Sequence, residues 1–314
     1  MAVTVAAGLA ALALTACGSA SDSDSDVPMR TVESTFTGED VEIPVKPERV
    51  AVLWRTGSIA ADLGVKPVAT LEGEFLEEEL GSDVYADYDD IPTVGTYEGV
   101  DIEALLETDP DVVIGMDNGG LSIDYDEIAK HVPVVILKIA EPTDVWANYP
   151  VVADLVGMTS EFESKQAALD AELAAIKSEY GDVLGGVEST LFGVLDGTIW
   201  VDTSKALSYQ RLTAAGFGYN PTYTADPERF VTELAQENIA DLSSQDVIFY
   251  DTNFDGSVPA EVQAVLDSES FQRLPAAQSG RVFPFTSGTI YTFAGAEKQA
   301  ADLRAAAEKV ASNA

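Results

Sequence analysis

VGTYEGVDIEALLETDPDVVI, residues 94–114, holds a helix start, a helix, a breaker and a strand in one run. Asp101 stands just before Ile102, Leu105 and Leu106, where a carboxylate can accept from the orphan amides of a first helical turn. Asp109-Pro110 cannot continue that helix. The run Asp111 to Ile114 is β-branched and too short for a second helix, so it reads as a buried strand.

The same alternation extends in both directions. Upstream, Val50 to Leu53 reads as a strand, Ser58 to Leu63 as a helix closed by Gly64, and Pro67 to Thr70 as the next strand. Downstream, Tyr125 to His131 reads as a helix and Val134 to Leu137 as a strand. Strands alternating with helices predict a parallel sheet.

Between Thr143 and Tyr180 the alternation gives way to helix-leaning sequence. Phe162, Leu169, Leu173, Ile176 and Tyr180 recur at three- and four-residue steps on one face. Gly157 breaks the stretch, Thr159 or Ser160 is expected to cap a long second helix, and Gly181 to end it. After Gly185-Gly186 the strands Leu191 to Leu195, Ile199 to Val201, Val247 to Tyr250 and Arg281 to Phe283 follow. They are interleaved with a helix over Tyr209 to Ala215 and closed by one from Ala296 to Ser312. The expected fold is α/β: two Rossmann-like lobes, residues 31–142 and 182–314, each with a parallel-type sheet. One long interdomain helix within the helical segment 143–181 joins them.

The N-terminal end reads differently. Residues 1–16 form an uncharged apolar run, too short to span a bilayer as a permanent helix and typical of a signal peptide. It stops at Leu14-Thr15-Ala16-Cys17. Cys17 is the only cysteine in 314 residues, so an internal disulfide is excluded. Residues 17–30 are rich in Ser and Asp and read as a flexible tether.

Composition removes several function classes. Seventeen basic against 54 acidic residues give a formal net charge of −37, which repels nucleic acid at long range. The single histidine, His131, leaves no imidazole cluster for a bare metal ion. No GxxxxGK, HExxH or GxSxG motif is present, so no catalytic residues are assigned.

Several segments together resemble the siderophore, haem and cobalamin class of ABC importer binding lipoproteins. They are Pro47-Glu-Arg-Val50, Leu63-Gly-Val-Lys-Pro-Val-Ala69, the stretch 94–114, Glu233 to Ile248 and Phe271 to Phe283, in the family's order. Leu14 to Cys17 resembles a bacterial lipobox. The resemblance implies a monomeric receptor, lipid-anchored through Cys17 on the outer face of the cell membrane. Such a receptor takes a ferric siderophore or related metal chelate between its lobes, or haem or cobalamin. It then delivers the chelate to an ABC permease and, through that, to the ATPase. No cofactor is implied. A surface enzyme and a cargo-free surface lipoprotein are the readings from other classes.

The resemblance also places function on residues. Glu103 and Glu237 match surface glutamates that dock on the permease, with Glu98 a second candidate in the first lobe; a solvated helix face is the plain alternative. Loops at the C-terminal ends of strands should line the cleft. That rule and the resemblance select Trp54, Arg55, Tyr97, Asn118, Trp200, Tyr209, Arg211, Tyr223 and Tyr291 as ligand contacts. Met116, Asp117, Lys205 and Tyr250 are further candidates. Tyr97 stands where some hydroxamate receptors carry an arginine, and Arg55 is placed to supply that charge.

Overall fold

Residues 27–312 are described by the computed structural model; the signal-peptide and Cys17 assignments lie outside them. The first lobe opens with a hairpin, β1 (Met29–Ser34) and β2 (Glu39–Pro44), paired antiparallel. Met29 and Arg30, read from sequence as the end of the tether, are thus already in a strand, and Arg30 is bonded to Asp154. The parallel sheet of this lobe has the order β3 (Val50–Val52), β6 (Val112–Asp117), β7 (Val134–Lys138). Between β3 and β6 the chain forms a two-stranded ribbon, β4 (Gly95–Thr96) and β5 (Gly99–Val100). All six residues of β6 are buried, which is why Val112 to Ile114 read as a continuous apolar run. Pro67 to Thr70 does not form a full strand: Ala69 makes an isolated parallel bridge to Ala51 of β3, and Thr70 one to Thr93. Asp101 caps the helix Ile102–Glu107 as expected, accepting from the Ala104 amide at 3.1 Å.

Three helices follow: Pro142–Ala147, Tyr149–Leu155 and the 26-residue Thr159–Leu184. The last is about 39 Å long at 1.5 Å per residue and bridges the lobes. Gly157, in the left-handed region at φ +73°, reverses the chain ahead of it. The N-cap position belongs to Met158 rather than Thr159 or Ser160, and the helix runs through Gly181. Glycine inside a helix weakens it only modestly, and Leu184 three residues on is fully buried.

The second lobe holds a five-stranded sheet in the order β10 (Val231–Leu234), β9 (Thr198–Asp202), β8 (Ser189–Leu195), β11 (Val247–Thr252), β12 (Val282–Thr286). β8, β11 and β12 are parallel, whereas β9 and β10 are antiparallel additions, so this sheet is mixed. Asp196-Gly197, with φ of 49° and 74°, makes the tight hairpin that turns β9 back on β8. Outside β10 the segment Gln236–Ser244 is a 3₁₀ helix.

A continuous apolar core runs from Val50 and Ile114 in the first lobe to Phe249 and Phe285 in the second. It passes through Tyr149, Leu169, Leu173 and Ile176 and reaches the closing helix Phe293–Ser312. Tyr149, Trp146, Phe162 and Phe293 form an aromatic knot there, with Tyr149 and Phe293 at 4.9 Å. The knot is pinned by Asp62 of the first lobe. Its Oδ2 accepts from the Tyr149 hydroxyl and, at 2.6 Å, from the Phe293 amide that starts the closing helix. Among the described residues no helix is long and apolar enough to cross a membrane.

Candidate ligand-binding site

After β3 the chain makes a tight turn over Trp54 to Gly57, at the C-terminal edge of the first-lobe sheet. The turn is held from both sides. Thr56 Oγ1 donates to the carbonyls of Leu53 (2.9 Å) and Ile114 (3.2 Å), tying it to β3 and β6. Beneath it the buried Glu74 accepts from the Gly57 amide at 2.8 Å, and the Arg55 amide also faces its carboxyl. A Cβ at Gly57 would lie 2.5 Å from Glu74 Cγ, so the close approach requires glycine. Burial pushes the Glu74 carboxyl up to about 8, against the pull of those amides and of Arg55.

This turn drives Arg55 into the left-handed region (φ 64°) and presents Trp54 and Arg55 to the cleft. The Arg55 guanidinium carbon lies 5.4 Å from the Trp54 ring and 5.2 Å from that of Tyr291 in the second lobe. Its Nη1 is 3.6 Å from Glu79. Trp54, Arg55, Glu74, Tyr97 and Tyr291 are among the walls of a 240 Å³ compartment, where Tyr97 is fixed by donating to the Gly73 carbonyl at 3.1 Å.

The second-lobe half rests on its sheet. Trp200 of β9 is opposite Gly193 of β8, and the parallel register carries the same row on to Asp251 of β11. Gly193 adds no side chain to this row, and the Asp251 carboxylate lies over it. A Cβ on Gly193 would lie 2.6 Å from Asp251 Oδ2. Asp202, two residues after Trp200, points to the same face and accepts from the Ser208 hydroxyl. With Phe230 and the loop Ser287 to Thr289, these residues enclose 310 Å³. Arg55 and Tyr291 line both compartments, so the two meet at that pair. Burial raises Asp202 to about 7, and burial together with the nearby Asp202 raises Asp251 well above the carboxylate range. Burial likewise pushes the Tyr291 hydroxyl to about 12, with Arg55 opposing. A wider, 770 Å³ groove opens beside the cleft between Glu77 to Val84 and Asn253 to Asp255, but none of the aromatic residues expected to contact ligand lines it.

Of the residues selected from sequence, the structure brings Trp54, Arg55, Tyr97, Trp200 and Tyr291 together. Asn118 is exposed and turns its Oδ1 back to the Gly120 amide. Tyr209 packs edge-on against Tyr219 at 5.2 Å. Arg211 is buried with its guanidinium 4.0 Å from the Trp146 ring, and burial lowers it to about 10. Tyr223 belongs to an apolar cluster of the second lobe. Met116 and Asp117 are buried, with Asp117 accepting from the Tyr125 hydroxyl at 2.7 Å. Lys205 spans the lobes to Glu141 at 3.0 Å, and Tyr250 lies outside both compartments. Glu74, Glu79, Asp202 and Asp251 were not selected. Asp202 and Asp251 were within reach of the strand-end rule; Glu74, a solitary acid in a loop, gave no signal.

The sequence pattern of the periplasmic binding protein family matches residues 51–287. No curated protein sequence matches. Among solved structures, the chain is similar to the siderophore periplasmic binding protein from the fuscachelin gene cluster of Thermobifida fusca. The two share 23% identity and a TM-score of 0.74, over 85% of this chain and 98% of that one. It is similar to the catecholate-siderophore binding protein VctP of Vibrio cholerae at 18% identity and a TM-score of 0.66, covering 88% and 100%. The Fe3+–Desferal-bound siderophore binding protein FhuD of the same organism shares 18% identity and a TM-score of 0.61, covering 82% and 98%. The two-lobed architecture, the cleft at the strand ends and the family match over most of the chain agree: this chain belongs to the periplasmic binding protein family.

Proposed function

We propose that the chain is the extracytoplasmic receptor of an ABC importer, capturing a ferric siderophore or related metal chelate between its lobes. The observation that carries this reading is the two-compartment cavity joined at Arg55 and Tyr291, with Trp54, Tyr97, Trp200 and Phe230 on its walls. Aromatic rings with a few polar tips suit a bulky chelate that is part apolar and part rich in oxygen. The names of the similar structures, which span catecholate and Desferal ligands, support the ligand class.

The shared core sets how binding works. Lobes fused through Tyr149, Phe293 and the bridging helix close little, so the ligand meets a largely preformed shape. Glu103, exposed in the first turn of its helix, and Glu237, exposed on the 3₁₀ helix, then serve as docking charges for the permease, which couples to the ATPase. Lipid on Cys17 holds the receptor at the outer membrane face.

Tryptophan fluorescence tests this directly, because Trp54 and Trp200 line the cavity. Titration with a panel of ferric siderophores, haem and cobalamin is expected to give saturable quenching by one iron chelate, weakened at least about tenfold in Trp54→Ala. Silence across the panel would sink the reading, and a response to haem or cobalamin alone would reassign the cargo.

A further inference from the structure

The second-lobe compartment has a charge pattern that a ferric chelate alone does not explain. Iron-bound catecholate or carboxylate oxygens carry negative charge, yet Asp202 and Asp251 both line this space. Among the described residues lining either compartment Arg55 is the sole basic one, and it is directed to Glu79 and the rings of Trp54 and Tyr291. Lys205, close by in sequence, is taken up by Glu141 and the Glu228 carbonyl, both at 3.0 Å.

Asp251 is the more telling of the two. Ser287 and the Gly288 amide face its carboxyl, but Oδ1 is shut off from solvent and has no hydrogen-bond partner among the described residues. A buried carboxylate oxygen left so is costly. Gly193 makes room for this carboxyl beside Trp200: Asp251 Oδ2 lies over it, 2.6 Å from where a Cβ would stand. The Trp200 and Phe230 rings, 6.1 Å apart and edge to face, provide π-faces beside the acids. Among the described residues no group of three or more His, Cys, Asp or Glu could hold a metal ion. Two carboxyls with aromatic walls in a 310 Å³ space match an organic cation instead.

We propose that this compartment receives a cationic group of the bound chelate, an alkylammonium or guanidinium, with Asp251 and Asp202 as its counter-charges and Trp200 and Phe230 as its walls. The proposal rests on the receptor reading above and deepens it: the cargo is a metal chelate with a protonated nitrogen on its periphery. Burial makes both carboxyls reluctant to ionise, and at Asp251 the nearby Asp202 adds to the cost; a cation between them relieves it.

The test uses the full chain carrying Cys17→Ser and a probe that is not a chelate. 2-Phenylethylammonium is titrated against tryptophan fluorescence, with 2-phenylethanol as its uncharged counterpart. The amine is expected to saturate with a Kd on the order of 1 mM, a reasonable affinity for so small a ligand. The alcohol should be silent, and Asp251→Asn should weaken the amine at least about tenfold. An equal response to the alcohol, no saturation by the amine, or an unchanged Asp251→Asn would overturn the proposal. The chelate panel separates the two ideas: amine binding without chelate binding would remove the receptor reading and keep the cation site, and the converse would remove only the cation site.

Discussion

Glu74 in the first lobe lies beneath the Trp54 to Gly57 turn with an amide donating to its carboxyl. Asp251 in the second lies at the centre of a sheet face with one oxygen unmatched. Glu74 is buried and Asp251 half-buried on the walls of the two joined compartments, and desolvation pushes both toward the protonated form. The difference is in what they hold. Glu74 is bonded to backbone and fixes where Trp54 and Arg55 stand; Asp251 lines the second compartment, with an enclosed Oδ1 that has no partner among the described residues. Buried acidity therefore marks either scaffold or subsite, and the state of each oxygen decides which.

Four measurements break or sharpen this contrast. The largest effect concerns pH. Glu74 is raised from its ordinary 4.5 to about 8, so the folded state holds its proton more tightly than the unfolded chain. Its contribution is therefore intact below about pH 4.5 and lost as pH rises through 8. Stability from this group should fall by roughly 4 kcal/mol between pH 5 and 9, read from urea unfolding, and Glu74→Gln should remove most of that slope. Asp202, raised to about 7, leaves a smaller slope of the same sign.

Next, at pH 6, Glu74→Ala strands the Gly57 amide and opens a gap beneath the turn, costing about 3 kcal/mol. Asp251→Asn should leave stability within about 1 kcal/mol of the parent, because Asn keeps one oxygen for the Ser287 and Gly288 donors and the unmatched Oδ1 gives up no bond. Equal losses from the two variants would erase the distinction drawn above. Third, Asp62→Ala removes the acceptor for Tyr149 and Phe293 and should cost about 2 kcal/mol in thermal unfolding. The transition should stay single, since the core is shared. Smallest is Lys205→Met. Its half-exposed ion pair with Glu141 spans the cleft, and stability should change by no more than about 0.5 kcal/mol.

Much of the fold could be read from local pattern because its signals are local. Asp101 caps the helix it was expected to cap, Gly157 breaks the chain ahead of the bridging helix, and the buried strands are short apolar runs. The antiparallel turn of β9 is also local, at the hairpin dipeptide Asp196-Gly197, although strand and helix alternation alone predicts a uniformly parallel sheet. In the site, the strand-end rule reached Trp54, Arg55 and Trp200 but settled on Tyr250, one residue from Asp251. Successive strand residues face opposite sides, so that single step changes the face. Arg211 and Tyr223 are polar-tipped residues taken into packing, which periodicity does not distinguish from cleft contacts. Glu74 depends on chain 17 residues from its partner Gly57 and on the shape of their meeting, which no local pattern encodes.

The bond from Asp62 to the Phe293 amide joins positions 231 residues apart. It means that the helix Phe293–Ser312 has its first turn completed by a residue of the first lobe, synthesised long before it. A chain severed at Gly185-Gly186 would yield a second fragment whose final helix starts without that carboxylate and whose Phe293 faces water instead of Tyr149 and Trp146. The two lobes, though each has its own sheet, are thus a single cooperative unit of assembly: the first lobe is the template on which the helix Phe293–Ser312 is completed.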